Sequence, residues 1–138
     1  MGKINEDAQL KLVIDALKKR YDLIAVILFG SRARKDHKPW SDYDLLIIAD
    51  FESPYLERIG EVLEVLKDIR LPIEPHPYTL EEAINMLKRG NPTIYDALDE
   101  GIVLYETDKL QQLKKLFIEL KRKGMKRTEI SIIIPQED

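Results

Sequence analysis

Apolar residues recur along this chain in two rhythms. Leu10, Val13, Ile14 and Leu17 keep helical spacing and predict an opening amphipathic helix. Leu23 to Phe29 (LIAVILF) is instead a continuous run of strand length, and Tyr43 to Ala49 (YDLLIIA) is another. Leu71 to Tyr78 (LPIEPHPY) reads as a third, proline-rich strand, and Ile102 to Tyr105 as a short fourth. Leu56, Ile59, Leu63 and Leu66 repeat at helical spacing after Ser53-Pro54, with Ser53 expected as the cap and Pro54 at the first helical position. Thr79-Leu80-Glu81-Glu82 is a capping box for the next helix, which Gly90 ends. Asn91-Pro92 opens a short helix that Gly101 closes, and Leu110, Leu113, Phe117 and Leu120 mark a last one. Ile130 to Ile134 is apolar but belongs to no predicted element. This order predicts an α+β fold, a small mixed sheet covered by helices.

Composition narrows the picture. The chain has 138 residues, 44% of them apolar, which suits one folded domain over 1–138, with a core at about 8–123 and a short tail at 124–138. A net charge of −3 argues against bulk attraction to nucleic acid. The absence of cysteine excludes disulfides and thiol chemistry and removes the usual zinc ligands. No run approaches the length of a membrane span, and the N-terminus carries no signal-peptide pattern, so a cytoplasmic location is expected.

Candidate chemistry sits between the first two predicted strands, in LFGSRARKDHKPWSDYDLLII. Asp42 and Asp44 stand one residue apart at the start of the second strand. Alternation aims both the same way, with Cβ atoms about 7 Å apart from a rise of ~3.3 Å per residue. Two unpaired carboxylates at a core edge repel each other and resist desolvation, and a bound Mg²⁺ resolves both problems. At the end of the first strand, Gly30 permits close approach to a ligand. Ser31 is expected to cap a short helix whose free N–H groups face an anion. Arg32 and Arg34 add positive charge nearby. A Gly-Ser turn and an Asp-x-Asp pair at two strand ends suggest a nucleoside triphosphate, with phosphates on the turn and metal on the acids.

Gly30, Ser31, Asp42 and Asp44 reproduce the motif G-S-x(10)-D-x-D. In this the chain resembles the nucleotidyltransferase superfamily that includes DNA polymerase beta, and most closely its minimal nucleotidyltransferases, the MNT proteins of prokaryotes. The order of elements from about Leu10 to Leu120 is consistent with that family. Where the family has G-S-R-A-R-G, this chain has Lys35 in place of the last glycine. The resemblance implies a polymerase-beta-like nucleotidyltransferase fold and in-line attack of a hydroxyl on an NTP α-phosphate. It implies two Mg²⁺ ions, with Gly30, Ser31, Arg32 and Arg34 on the nucleotide. It also implies a HEPN-domain toxin as partner, with AMP passing from ATP to a toxin tyrosine. Two alternatives stand beside this: a non-catalytic module that masks a partner, and a small-molecule nucleotidyltransferase of the aminoglycoside type.

The superfamily usually carries a third acid on the next strand, and Glu74 is the candidate, making Asp42, Asp44 and Glu74 the expected catalytic and metal-binding set. Alternation places Glu74, His76 and Tyr78 on one face. Pro75 and Pro77 both lack the N–H that would point to one neighbouring strand. Proline is largely confined to strand edges, so this strand should be unpaired on that side and pair with the Asp42–Ile48 strand on the other. His76 reads as a hydrogen-bonded structural group, Tyr95 and Asp96 as structural residues of a capped helix, and the lysines at 114–123 as a solvated face.

Overall fold

The computed structural model describes residues 4–136. Twelve elements follow one another among them: α1 (Glu6–Arg20), β1 (Leu23–Phe29), α2 (Ser31–Arg34), β2 (Tyr43–Ala49), α3 (Tyr55–Val65), β3 (Ile73–Tyr78), α4 (Leu80–Lys88), α5 (Pro92–Glu100), β4 (Ile102–Glu106), α6 (Leu110–Arg122), β5 (Lys126–Arg127) and β6 (Ile132–Ile133). The first four strands form one mixed sheet in the order β3-β2-β1-β4. β1 pairs antiparallel with β2 and β4, whereas β2 and β3 run parallel. The α+β expectation therefore holds.

Helices cover both faces of the sheet, which is why β1 and β2 read as unbroken apolar runs. On one face Ile24, Ile27, Phe29, Leu46 and Ile48 pack with residues of α4, α5 and α6. On the other, Val26, Leu28, Leu45 and Ile47 pack with Leu10, Val13 and Leu17 of α1 and Val62 of α3. All seven residues of β1 are buried. Among the described residues, no helix is long and apolar enough to cross a membrane.

Most helix boundaries follow the local signals. The capping box forms in full, Thr79 Oγ1 accepting from the Glu82 N–H and Glu82 Oε1 from the Thr79 N–H. Asn91 caps α5 through its bond from the Ile94 N–H. At the start of α3 the expectation fails. Pro54 holds the cap position, and the Ser53 hydroxyl donates to Glu61 Oε1 at 2.8 Å instead. The buried face of α3 also differs from the apolar periodicity. Arg58 and Val62 are buried, while Leu56 and Leu63 are exposed.

The reason lies at the sheet edge. β3 is the outer strand, and no described strand pairs beside Pro75 and Pro77. Its free acceptor meets Arg58, which donates to the Pro77 carbonyl, the Ser53 carbonyl and both Glu82 oxygens. A buried guanidinium with that many acceptors is better satisfied than an apolar side chain facing an orphan carbonyl.

Ile130–Ile134, unassigned from sequence, contains β6, which pairs with β5. Ile132 is buried among residues of α4, α5 and α6. Gly90 makes room for this tail: a Cβ there would sit 3.1 Å from the Ile134 side chain.

Candidate active site

The N-terminal ends of β2 and β3 and the C-terminal end of β1 meet at one point of the sheet. Parallel pairing sets Asp44 beside Glu74 and Leu46 beside His76. Phe29 is opposite Asp44 on the other side. Alternation then leaves Asp44, Glu74 and His76 on the face that carries Phe29, Leu46 and Ile48 further in. This register, together with the unpaired outer side of β3, is the arrangement that the two prolines implied.

The polar groups converge closely. One ligand atom from each of Asp44, Glu74 and His76 lies within 4.8 Å of the others. His76 Nε2 is 3.2 Å from Asp44 Oδ1, and its ring packs edge-on against Phe29 with centroids 5.0 Å apart. The Glu74 carboxyl is held above its usual range, chiefly by its hydrogen bond with Asp44, then by burial and by the Asp44 charge. Two carboxylates this close cannot both ionise at no cost, and a divalent cation between them relieves the repulsion. Hard oxygen donors in this number suit such a cation.

Asp42 stands outside that tight group. It is exposed and lies one residue before β2. Its charge is the smallest of the influences that raise the Glu74 carboxyl. The loop that carries it is braced from α2. Arg32 donates through Nε and Nη2 to the Ser41 carbonyl and through Nη2 to the Pro39 carbonyl, and its guanidinium stacks 4.3 Å over the Tyr43 ring. Tyr43 is itself anchored to α1 by donating to Glu6 Oε2 at 2.7 Å.

Gly30 occupies the cap of α2, with φ +75° and ψ −156°. Its carbonyl accepts from the Ala33 and Arg34 N–H groups. Ser31 is therefore the first helical residue and not the cap. A Cβ at Gly30 would lie 2.6 Å from Asp44 Oδ2, so the carboxylate fills the space where a side chain would be. The turn and the acids thus form one packed unit. Lys35 closes α2 in the left-handed region, at φ +65° and ψ 26°, keeping a glycine-like backbone without a glycine.

Not every expected residue meets the site in the same way. Arg32 is committed to the 39–41 loop, where it positions Asp42. Arg34 is exposed and paired with Glu100 at 2.8 Å and Asp36 at 3.1 Å. Sequence reasoning set His76 on the Glu74 face but read it as a hydrogen-bonded structural group, and the structure brings it into the acidic group beside Asp44.

Comparison with known proteins follows this geometry. Residues 11–110 match the family described as Polymerase beta, nucleotidyltransferase. A protein of Methanocaldococcus jannaschii, named "Putative protein adenylyltransferase", is 40% identical over 113 residues, covering 74% of this chain and 100% of the relative. Among solved structures, a toxin–antitoxin with AMP-PNP aligns with a TM-score of 0.55 at 18% identity, over 82% of this chain and 86% of the other. The complex of tri-AMPylated Shewanella oneidensis HEPN toxin with MNT antitoxin aligns with a TM-score of 0.53 at 16% identity, over 86% and 87% of the two chains. At those identities the likeness is one of fold.

Proposed function

The chain belongs to the polymerase beta nucleotidyltransferase family, and on that premise we propose that it transfers AMP from ATP to a tyrosine hydroxyl of a HEPN-domain toxin, acting as the antitoxin of that toxin. The observation that carries this reading is the parallel register that sets Glu74 beside Asp44 at the Gly30–Ser31 turn. The name of the Methanocaldococcus relative supports a protein acceptor, and the toxin–antitoxin complexes that share the fold support the kind of partner.

The residues divide the work as follows. The turn at Gly30 and the first N–H groups of α2 receive the triphosphate, with the Ser31 hydroxyl beside them. Asp42, Asp44 and Glu74 would hold divalent cations, which neutralise phosphate charge and make the acceptor hydroxyl more acidic when bound. Glu74, whose carboxyl is held above its usual range chiefly by its hydrogen bond with Asp44, takes the proton of the attacking hydroxyl. A bond forms between the acceptor oxygen and the α-phosphorus, the bond to the β-phosphate oxygen breaks, and pyrophosphate leaves. Fixed positions for nucleophile and phosphate supply most of the acceleration in such transfers.

The test is incubation of this protein with labelled ATP, Mg²⁺ and a candidate HEPN-domain toxin. Label should enter a tyrosine of the partner, and Asp42→Asn, Asp44→Asn or EDTA should reduce incorporation by at least about a hundredfold. Full transfer in either variant or in EDTA would refute the metal-dependent mechanism. Label on a small molecule, with none on protein, would refute the acceptor.

A further inference from the structure

The metal-dependent reading above leaves His76 unused, yet its geometry at the site is specific. Its Nε2 is the ring nitrogen turned to Asp44, and the Phe29 ring packs edge-on against the imidazole. Ligands about 2.1 Å from a shared ion stand about 3.0 Å apart at a right angle, about 3.4 Å at a tetrahedral angle and about 4.2 Å when opposed. The 3.2 Å between His76 Nε2 and Asp44 Oδ1 already falls in that range. Glu74 completes a set spanning no more than 4.8 Å, so a shift of under about 1 Å would close it on one ion.

Chemistry then separates the candidate ions. Mg²⁺ favours oxygen donors and near-ideal octahedral geometry. Imidazole suits first-row transition metals, and Mn²⁺ also accepts carboxylate and phosphate oxygens. Zn²⁺ accepts the same three protein donors but prefers four ligands in all, which leaves less room for a triphosphate.

We infer that His76 is a metal ligand, completing a two-carboxylate, one-imidazole site that binds Mn²⁺ in preference to Mg²⁺. This rests on the metal-dependent reading and goes beyond the all-carboxylate set expected from sequence. The competing role is that of a positioning residue, in which His76 only orients Asp44 by a hydrogen bond.

Pulsed EPR of Mn²⁺ bound to the full chain with AMP-PNP decides between them without an activity measurement. The expected spectrum shows ¹⁴N coupling from a coordinated imidazole. That coupling persists in His37→Gln, the chain's other histidine, and disappears in His76→Gln. Calorimetry should give an Mn²⁺ affinity at least about tenfold above that for Mg²⁺, and His76→Gln should lower that ratio by about tenfold. A thermal melt of His76→Gln matching the unaltered chain confirms that the variant folds, and the spectrum of the unaltered chain needs no variant. Mn²⁺ bound in an Asp44-dependent manner without ¹⁴N coupling would overturn the ligand role and leave the proposed reaction standing. Failure of any divalent ion to bind, even with AMP-PNP, would overturn both.

Discussion

Replacing Gly30 with alanine perturbs the backbone and the site at once. The backbone at φ +75° and ψ −156° lies in a region populated essentially by glycine, and holding another residue there costs roughly 1–3 kcal/mol. The added Cβ would also stand 2.6 Å from Asp44 Oδ2, well inside van der Waals contact. Asp44 cannot retreat freely, since β2 is paired on both sides and His76 Nε2 is 3.2 Å from its other oxygen. Rotating the carboxylate away forfeits part of a charge-assisted hydrogen bond, about 1 kcal/mol or more. The total is about 2–4 kcal/mol, or roughly a 10 °C fall in melting temperature for a chain of this size. The effect on chemistry should be larger, because misplacing a catalytic group by about 1 Å costs about a hundredfold in rate. Circular dichroism melts and incorporation of labelled AMP measure the two effects separately, with transfer assayed well below the variant's melting point. Gly60→Ala is the control. Beyond its chain neighbours and its own helix backbone, no atom lies within 4 Å of its Cβ position, so activity should hold while stability rises by about 0.5–1 kcal/mol from helix propensity. Transfer by Gly30→Ala within twofold of the unaltered chain would refute the claim that this turn sets the Asp44 carboxylate.

Three further outcomes can be checked by denaturant unfolding. Lys35→Gly should stabilise by about 0.5–1 kcal/mol, since the left-handed backbone at φ +65° strains lysine but not glycine, and a loss of stability would show that the lysine side chain matters more. Burial pushes the Glu82 carboxyl up, but bonds from Arg58 and the Thr79 N–H outweigh it and hold it below the usual range. A depressed folded value contributes stability above the unfolded pKa of about 4.3 and loses it as pH falls through the folded value. Glu82→Gln should therefore be less stable than the unaltered chain at pH 7, and the gap should narrow below about pH 4; a constant gap would argue against the ion pair. Ile132→Ala should cost about 2 kcal/mol, the low end for a buried truncation, while Ile133→Ala, 43% exposed, should stay within about 0.5 kcal/mol.

Local chemistry carried a large share of this protein's description. LIAVILF and YDLLIIA announced the two central strands because a strand covered on both faces needs no alternation. The Thr79–Glu82 box and Asn91-Pro92 marked helix starts because their bonds close within four residues. Even a tertiary feature was legible where backbone chemistry forced it. Two prolines without donors required an open strand edge, and that left β2 as the neighbour that brings Glu74 to Asp44. The family motif was legible for a related reason: a turn and two acids at fixed spacing need only the strands that hold them.

What sequence could not decide depended on partners distant along the chain. Half of the α3 periodicity failed, because apolar spacing cannot report that the Pro77 carbonyl and Glu82 would claim Arg58, leaving Leu56 and Leu63 outside while Leu66 is buried. Ser53 donated to Glu61 instead of capping, since the helix begins one residue later than expected, with Pro54 at the cap and its carbonyl accepting from the Glu57 and Arg58 N–H groups. Arg32 turned to the carbonyls of residues 39 and 41, a choice between acceptors that composition does not rank. The tail found its place only against Gly90 and the helices around it. His76 entered the site because parallel register set it beside Leu46, one step inward from Asp44 and against Phe29. Periodicity belongs to one segment and can be read along it. Register, edge satisfaction and the choice among competing hydrogen-bond partners are properties of several segments at once, and they exist only after the chain has closed on itself.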